Sequence, residues 1–196
     1  GARRAQPAAG ADEEPLEVYR TAADPRSAGR VAFVEDYDMA IAWHLVHGVD
    51  VWLNTPRPPL EASGTSGQKA AINGVLNLSV LDGWWAEAYD GTNGWAVGSP
   101  AEAGSGDTEA RDAADAAALY ALLEREVLPL YYDERDQAAV PHKWIRMMRR
   151  SIETVAPRFS ARRMLKQYVE ELYLPGWSAA SSWTPAGGSG AGPGMG

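Results

Sequence analysis

The sequence predicts an α/β fold in which a parallel β-sheet is flanked by helices. Two short strand-like runs, residues 49–53 and 76–81, have the length and composition of strands. A turn rich in small residues and a short helix separate them, and amphipathic helical patterns fill the second half of the chain. Because strands and helices alternate, we expect the strands to pair in parallel through right-handed crossovers.

Length, charge and cysteine content narrow the class of protein. The 196 residues carry a formal net charge of −8, and cysteine is absent. Disulfides, thiolate zinc sites and a cysteine nucleophile are therefore excluded, and the acidic balance argues against general nucleic-acid binding, which needs a basic face. No apolar run approaches the roughly 20 residues of a membrane span, and no apolar signal region stands at the N-terminus. We predict a cytoplasmic protein that binds neither membrane nor nucleic acid.

Composition divides the chain into three parts. Residues 1–28 are rich in Ala, Pro, Arg and acidic residues, and we expect them to be largely irregular apart from a short helix at 15–22. Residues 29–174 carry the patterned elements and should form the domain, with a flexible linker at 99–107. Residues 175–196 are dominated by Gly, Ser, Pro and Ala, which predicts a disordered tail.

The first half of the domain should supply the sheet. The predicted elements are a strand at 30–34, a helix to about residue 47, strands at 49–53 and 76–81, and a helix at 68–74. The first strand is short and β-branched, so we expect it to be buried. Asp36 or Asp38 can cap the helix that follows it, and Gly48 can end that helix.

Residues 84–98 are predicted to form a loop, because turn signals stand at Asp90-Gly91 and Asn93-Gly94. Four aromatic side chains in this loop could either stack on sugar rings or pack against the following helices. We expect packing for most of them. The four are Trp84, Trp85, Tyr89 and Trp95.

Three helices are predicted in the second half of the chain. The first, at 112–127, should end at Pro129, because proline does not continue a helix interior. Its apolar face would hold Ala116, Leu119, Tyr120, Leu123 and Val127. The second, at 141–155, would carry one apolar stripe made of Trp144, Met148, Ile152 and Val155. Ser160 can cap the third, at 161–173.

One turn of the chain has the composition of a ligand site. It reads Glu61-Ala62-Ser63-Gly64-Thr65-Ser66-Gly67-Gln68-Lys69 and follows a predicted strand, and ligands of parallel sheets bind at the carboxyl ends of strands. Small residues let the backbone approach a ligand closely, and a helix that starts there offers unpaired N–H groups suited to phosphate. A nucleotide P-loop is excluded, because Gly64 and Gly67 enclose only two residues. A tight strand-to-helix connection with an incidental lysine explains the turn equally well at this point.

A longer string, from Gly48 to Trp85, resembles the pyridoxal-phosphate region of the α-glucan (glycogen, starch, maltodextrin) phosphorylases, particularly the bacterial short type. It includes Trp-Leu-Asn-Thr-Pro-Arg-Pro-Pro-Leu-Glu-Ala-Ser-Gly-Thr and, further on, Asp82-Gly-Trp-Trp. The resemblance extends from about residue 30 to residue 173. It implies part of a Rossmann-like C-terminal domain of a two-domain GT-B glycosyltransferase, with a parallel sheet, flanking helices and a C-terminal helical segment.

The resemblance implies a cofactor, pyridoxal 5′-phosphate. In the family, the lysine of the Glu-Ala-Ser-Gly-Thr-x-x-x-Lys motif carries it as a Schiff base, and by position that lysine is Lys69. A Schiff base needs an amine that can lose its proton, which burial or a neighbouring cation favours. The chain has two other lysines, Lys143 and Lys166, in basic helices that we expect to be exposed. Lys69 is therefore the only serious candidate.

The resemblance also implies the reaction and the remaining site residues. The cofactor phosphate would relay a proton to and from inorganic phosphate, which attacks the terminal glucose of an α-1,4-glucan and yields α-D-glucose 1-phosphate with retained configuration. Glu61, Ser63 and Gly64 would contact that glucose, with Glu61 and Lys69 as the catalytic candidates. Tyr37 matches a tyrosine beside the cofactor, although packing of its ring on the sheet is an equal alternative. The implied cofactor-binding residues are Tyr37, Gly64, Thr65, Ser66, Gly67 and Lys69.

Family members are several times longer than this chain, so the resemblance implies a C-terminal fragment that is inactive alone. The missing N-terminal part of the enzyme would be its partner, beside glucan and inorganic phosphate, and the full-length enzyme could be a homodimer. No metal is expected, because His44 and His47 share a helix without a third ligand. Gln68 stands where the motif usually has methionine. Two alternatives are a non-catalytic glucan-binding or interaction remnant and a cofactor-free GT-B enzyme of glycogen-synthase type, against which Lys69 in its motif argues.

Overall fold

Three parallel strands and the helices around them form the larger part of this computed structural model, which describes residues 13–27, 29–61, 63–98 and 108–182. The chain divides into two compact units, Gly1–His44 and Leu45–Gly196, and the sheet lies in the second. The described elements are α1 (Glu13–Ala23), α2 (Met39–Gly48), β1 (Val51–Asn54), α3 (Thr65–Ile72), β2 (Leu76–Val80), α4 (Gly83–Ala88), β3 (Gly94–Val97), α5 (Thr108–Leu122), a π-helical turn (Leu123–Val127), α6 (Leu128–Tyr132), α7 (His142–Arg158), α8 (Ala161–Tyr168), a second π-helical turn (Val169–Tyr173) and α9 (Leu174–Ser182).

The sheet has the strand order β1-β2-β3, and both pairings are parallel, which the sequence predicts for β1 and β2. Leu53 lies opposite Leu78, and Leu78 lies opposite Trp95 on the other side. All five residues of the central strand β2 are buried, including the polar residues Asn77 and Ser79. This small α/β arrangement is compatible with a Rossmann-like domain.

Two hydrophobic clusters hold the second unit together, and α7 contributes to both. The first cluster joins the sheet to the helices after it and consists of Leu76, Leu78, Val80, Trp95, Val97, Val127 and Trp144. The second lies around α4 and consists of Ala71, Trp84, Trp85, Ala88 and Val155. The indole N–H of Trp85 donates to the carbonyl oxygen of Trp95 over 3.1 Å, so the two clusters meet at β3.

In the first unit, one prediction is confirmed and another is wrong. The short helix expected at 15–22 is α1, and Asp38 caps α2, since its Oδ1 accepts from the N–H of Ile41 at 2.9 Å. The strand expected at 30–34 is absent, because Arg30 lies in a turn, residues 31–34 pair with no described strand, and their apolar side chains are exposed. Phe33 instead packs edge-on against Tyr19. A β-branched run favours extended backbone, but only a partner strand makes it part of a sheet.

The prediction of a loop at 84–98 is wrong, since this stretch contains most of α4 and the whole of β3. Asp82 caps α4 by accepting the N–H of Gly83 at 2.8 Å, and β3 completes the sheet beside β2. Turn residues separate the two elements, so the composition of this stretch predicts a loop instead. The expectation that the aromatic residues pack is confirmed for Trp84, Trp85 and Trp95, which are all buried.

Pro129 does not end the helix before it, contrary to the prediction. The π-helical turn at Leu123–Val127 interrupts the regular hydrogen bonding, and Pro129 falls in the first turn of α6. Val127 and Leu128 keep right-handed helical backbone angles, so the helix runs on through Pro129, and the wider π-helical turn before it accommodates the proline ring. The prediction of an apolar position for Tyr120 is also wrong, because its side chain is 64% exposed.

The C-terminal helices follow the prediction in part. Trp144 and Val155 are buried on α7, whereas Ile152 on the predicted stripe is 39% exposed. Ser160 caps α8, as predicted, and accepts from the N–H of Arg163. The disorder expected from residue 175 is wrong for the part that belongs to α9, where Pro175 again occupies a first turn. Residues 183–196 and the linker at 99–107 lie outside the described residues.

Asp90 ties α7 to the turn between α4 and β3. It accepts hydrogen bonds from Thr92 and an ion-paired hydrogen bond from Arg150, whose Nη2 lies 3.0 Å from Asp90 Oδ2. Partial burial raises the pKa of Asp90, but these hydrogen bonds outweigh it, so the pKa lies below its usual range. The carboxylate therefore stabilises the fold above its unfolded-state pKa, near 3.9, and loses this effect as pH falls through the lower folded-state value.

We expect Asp90→Asn to lower the free energy of unfolding by about 0.5–1 kcal/mol at pH 7 and by less at pH 2, because the stabilising effect of the carboxylate is lost as the pH falls through its lowered folded-state pKa. Urea denaturation at the two pH values measures the difference. Asp133→Asn is the matched control, because the exposed Asp133 side chain makes no hydrogen bond within the described residues. An equal loss at both pH values would contradict the role of the charge.

Candidate functional site

The small-residue turn of the sequence forms one wall of an open cavity at the carboxyl end of β1. The cavity has a volume of about 400 Å³. Its lining combines the end of β1, the turn and the first residues of α3: Trp52, Asn54, Glu61, Ser63, Gly64, Thr65, Ser66 and Gly67. The cavity therefore lies where the sequence predicts a ligand site, at the end of the sheet where parallel α/β folds bind ligands.

Backbone N–H groups are the main polar feature of this cavity. Gly64 precedes α3 in a left-handed conformation (φ 86°, ψ 48°), which glycine adopts without strain, and no described side chain caps the helix. The first N–H groups of a helix have no intrahelical acceptor. At α3 they belong to Thr65, Ser66 and Gly67, which line the cavity. Together with the positive end of the helix dipole they suit an anion such as phosphate.

The loop before α3 is fastened to the turn between β2 and α4. The backbone N–H of Glu61 donates to Asp82 Oδ2 at 2.9 Å, and the N–H of Trp84 donates to the carbonyl oxygen of Ser63 at 2.9 Å. These two bonds join residues about twenty positions apart in the sequence. The Glu61 side chain and the Ser63 side chain are thus presented to the same cavity.

Close packing at Gly67 sets the distance between α3 and β2. A Cβ atom on Gly67 would lie 2.7 Å from Asn77 Oδ1 and 3.0 Å from Trp84 Nε1, which is closer than side chains tolerate. The buried Asn77 side chain donates from Nδ2 to the Gly67 carbonyl oxygen at 3.2 Å. Glycine at this position therefore lets the start of α3 lie directly against the sheet.

Two predicted site residues are not among those that line the cavity. Lys69 lies one turn further along α3 with an exposed side chain, and its carbonyl oxygen accepts from Asn73 Nδ2 at 2.7 Å. Lys69 is four positions after Thr65, so the two side chains lie on the same face of α3. Tyr37 belongs to the first unit, where it is 54% exposed. The roles of both residues stay predictions.

The sequence is similar to that of several curated phosphorylases. It is 56% identical over 156 residues to the glycogen phosphorylase of Aquifex aeolicus, which covers 80% of this chain and 22% of that protein. It is 52% identical over 156 residues to the maltodextrin phosphorylase of Thermococcus litoralis, covering 80% of this chain and 18% of that protein. This chain belongs to the glycogen and maltodextrin phosphorylase family.

A third relative supports the assignment. The glycogen phosphorylase of Mycobacterium tuberculosis is 49% identical over 159 residues, which are 81% of this chain and 18% of that protein. No protein-family model matches the chain. The chain spans about a fifth of the length of these curated phosphorylases.

Sequence reasoning missed three residues at this cavity. Trp52 and Asn54 line the cavity from the end of β1, and the rule that ligands bind at carboxyl ends of strands could have pointed to them. The sequence indicates only a turn residue at Asp82, although its carboxylate holds the backbone of Glu61. No local pattern reveals this contact, because it joins two loops that only the fold brings together.

Two further observations concern the described residues alone. Among them, no three His, Cys, Asp or Glu side chains are grouped so that they could hold a metal ion. None of the helices in the same parts of the chain is both long enough and apolar enough to cross a membrane.

Proposed function

We propose that this chain is part of an α-1,4-glucan phosphorylase that uses pyridoxal 5′-phosphate. The enzyme would cleave the terminal α-1,4-linked glucose of a glucan with inorganic phosphate and release α-D-glucose 1-phosphate. The observation that carries the proposal is the gathering of Glu61, Ser63 and residues 64–67 around one cavity, in a chain with relatives named glycogen or maltodextrin phosphorylase.

The donor set of the cavity fits the proposed cofactor. Its phosphate group needs several hydrogen-bond donors, and the uncapped N–H groups of Thr65, Ser66 and Gly67 supply them, with the Thr65 and Ser66 hydroxyl groups beside them. Its carbonyl group needs an amine, and Lys69 on the same helix would supply it, four positions after Thr65. The cavity of about 400 Å³ lies within the range of small-molecule sites.

When bound, the cofactor supplies a phosphate group that exchanges a proton with inorganic phosphate. The residues of this chain hold and orient the reactants. Lys69 anchors the cofactor, and the start of α3 fixes its phosphate group. Glu61, Ser63 and Gly64 bind the hydroxyl groups of the terminal glucose, for which a carboxylate, a hydroxyl and a backbone amide are suitable partners. Trp52 lines the cavity beside these residues.

We further propose that the whole enzyme has the two-domain GT-B architecture and that this sheet belongs to one wall of its cleft. Catalysis needs further cationic groups for two phosphate groups, and no lysine or arginine lines the cavity within the described residues. These groups would come from parts of the enzyme outside this chain. We therefore expect the isolated chain to bind the cofactor without catalysing phosphorolysis.

The proposal predicts covalent labelling of one lysine. We expect the chain to take up about one equivalent of pyridoxal 5′-phosphate, and borohydride reduction followed by peptide mapping should place it on Lys69. Lys69→Ala should abolish the trapped label. Lys143→Ala and Lys166→Ala are matched controls, because both lysines are exposed and ion-paired away from the cavity. Labelling spread over all three lysines, or unchanged in Lys69→Ala, would contradict the proposal and favour a non-catalytic remnant.

A further inference from the structure

The turn between β2 and α4 contains a carboxylate with two separate backbone partners. Asp82 Oδ1 accepts the N–H of Gly83 at 2.8 Å, and Asp82 Oδ2 accepts the N–H of Glu61 at 2.9 Å. The first bond caps α4, which any of Asp, Asn or Ser can do. The second bond is unnecessary for the cap, and it reaches across 21 positions of the sequence to the loop that lines the cavity.

The same turn contacts the loop at further points. Gly83 has a φ of 51°, and a Cβ atom there would lie 2.8 Å from the carbonyl oxygen of Ser63 and 3.0 Å from Glu61 Cγ. The N–H of Trp84 donates to that same Ser63 carbonyl oxygen. The backbone on both sides of residue 62 is therefore fixed against the turn. The position of this loop relative to α3 therefore depends on the hydrogen bond that Asp82 accepts from Glu61 and on the contacts of Gly83 and Trp84 with Ser63.

We propose that Asp82 is a positioning residue for sugar binding. Its carboxylate holds the loop at Glu61 and Ser63 in the position, relative to α3, in which their side chains contact the terminal glucose. This inference rests on the proposed function. Both oxygens of the Asp82 carboxylate are used, one for each N–H donor. Asparagine offers a single acceptor oxygen, so it can keep the cap only by presenting its NH₂ group to the N–H of Glu61.

The inference separates sugar binding from cofactor binding. Asp82 touches the Glu61–Ser63 side of the cavity, whereas Lys69 and the N–H groups of α3 belong to a different element. A change at Asp82 should therefore weaken the affinity for glucose while the cofactor is still captured. A purely structural role in capping α4 would leave both unchanged in a variant that keeps the cap.

The test uses the whole chain after borohydride trapping of pyridoxal 5′-phosphate, with α-D-glucose 1-phosphate as the titrated ligand in isothermal calorimetry. We expect Asp82→Asn and Asp82→Ser to bind it about tenfold more weakly than the unsubstituted chain, with the same trapped label on Lys69 and a similar melting temperature. Asp136→Asn is the matched control, because Asp136 also accepts backbone N–H groups, at Ala138 and Val140, but in a separate turn. Its affinity should equal that of the unsubstituted chain.

The two proposals fail in different ways. Normal trapping at Lys69 together with equal affinity in Asp82→Asn, or with no sugar binding by the unsubstituted chain, would overturn the positioning role and leave the cofactor site intact. No trapping at Lys69 in the unsubstituted chain would overturn the proposed function and the positioning role with it. If Asp82→Ser and Asp82→Asn both lost the trapped label on Lys69 as well as the affinity for the sugar, Asp82 would have a general structural role. That result would overturn the inference.

Discussion

Trp85→Ala is expected to lower the free energy of unfolding by about 3–5 kcal/mol, a large fraction of the 5–15 kcal/mol that stabilises an ordinary domain. Trp85 is fully buried and is the largest such side chain in the described residues. Its ring packs between those of Trp84 and Tyr89, and its N–H donates to the carbonyl oxygen of Trp95. The substitution would leave a cavity at the junction of the two clusters and an unpaired carbonyl oxygen on β3.

Chemical denaturation monitored by far-ultraviolet circular dichroism measures this loss, since the tryptophan signal itself changes with the substitution. Trp85→Phe keeps most of the volume and isolates the hydrogen bond, so it should cost clearly less. Trp177→Ala is a matched control, because the Trp177 side chain is 77% exposed and should cost under about 1 kcal/mol. If Trp85→Ala cost no more than Trp177→Ala, the cluster around α4 would not be a packed core.

Two strands of the sheet and the candidate site could be predicted from the sequence because their signals are local. The strands β1 and β2 have the length and composition of strands, and the turn before α3 concentrates small and hydroxyl residues at the carboxyl end of a strand. The structure brings Glu61 and residues 63–67 to one cavity. The motif that carries the family resemblance is also local, so it can be recognised from the sequence alone.

The elements that were missed depend on contacts between distant parts of the chain. β3 is four residues long and lies among turn signals, so only its pairing with β2 identifies it. Residues 30–34 show the opposite error, because a strand-like composition there finds no partner among the described residues. Pro129 is accommodated by the π-helical turn before it, which no simple periodicity reveals. Local composition indicates which secondary structure a segment favours, but contacts with distant segments determine whether it forms.

Gly83→Ala is expected to destabilise the second unit and to displace the loop that lines the cavity. Any L-residue at a φ of 51° costs roughly 1–2 kcal/mol, because its Cβ approaches the following carbonyl oxygen. At Gly83 the added methyl group would also lie 2.8 Å from the Ser63 carbonyl oxygen and 3.1 Å from that of Glu61. Backbone atoms cannot rotate away as a side chain can, so overpacking should add about 1–3 kcal/mol.

Gly91→Ala separates these two costs, because Gly91 has a φ of 82° and a methyl group added to it would meet none of the described residues within 4 Å. Gly91→Ala should lower the free energy of unfolding by the backbone cost alone. The difference between the unfolding free energies of the two variants, measured by urea denaturation, gives the cost of the steric contact with the loop. The amide resonances of Glu61 and Ser63 should shift in Gly83→Ala and stay in place in Gly91→Ala. Equal stability of the two variants, with unshifted resonances, would mean that the loop yields freely. The turn at Asp82 and Gly83 would then not determine where Glu61 and Ser63 lie.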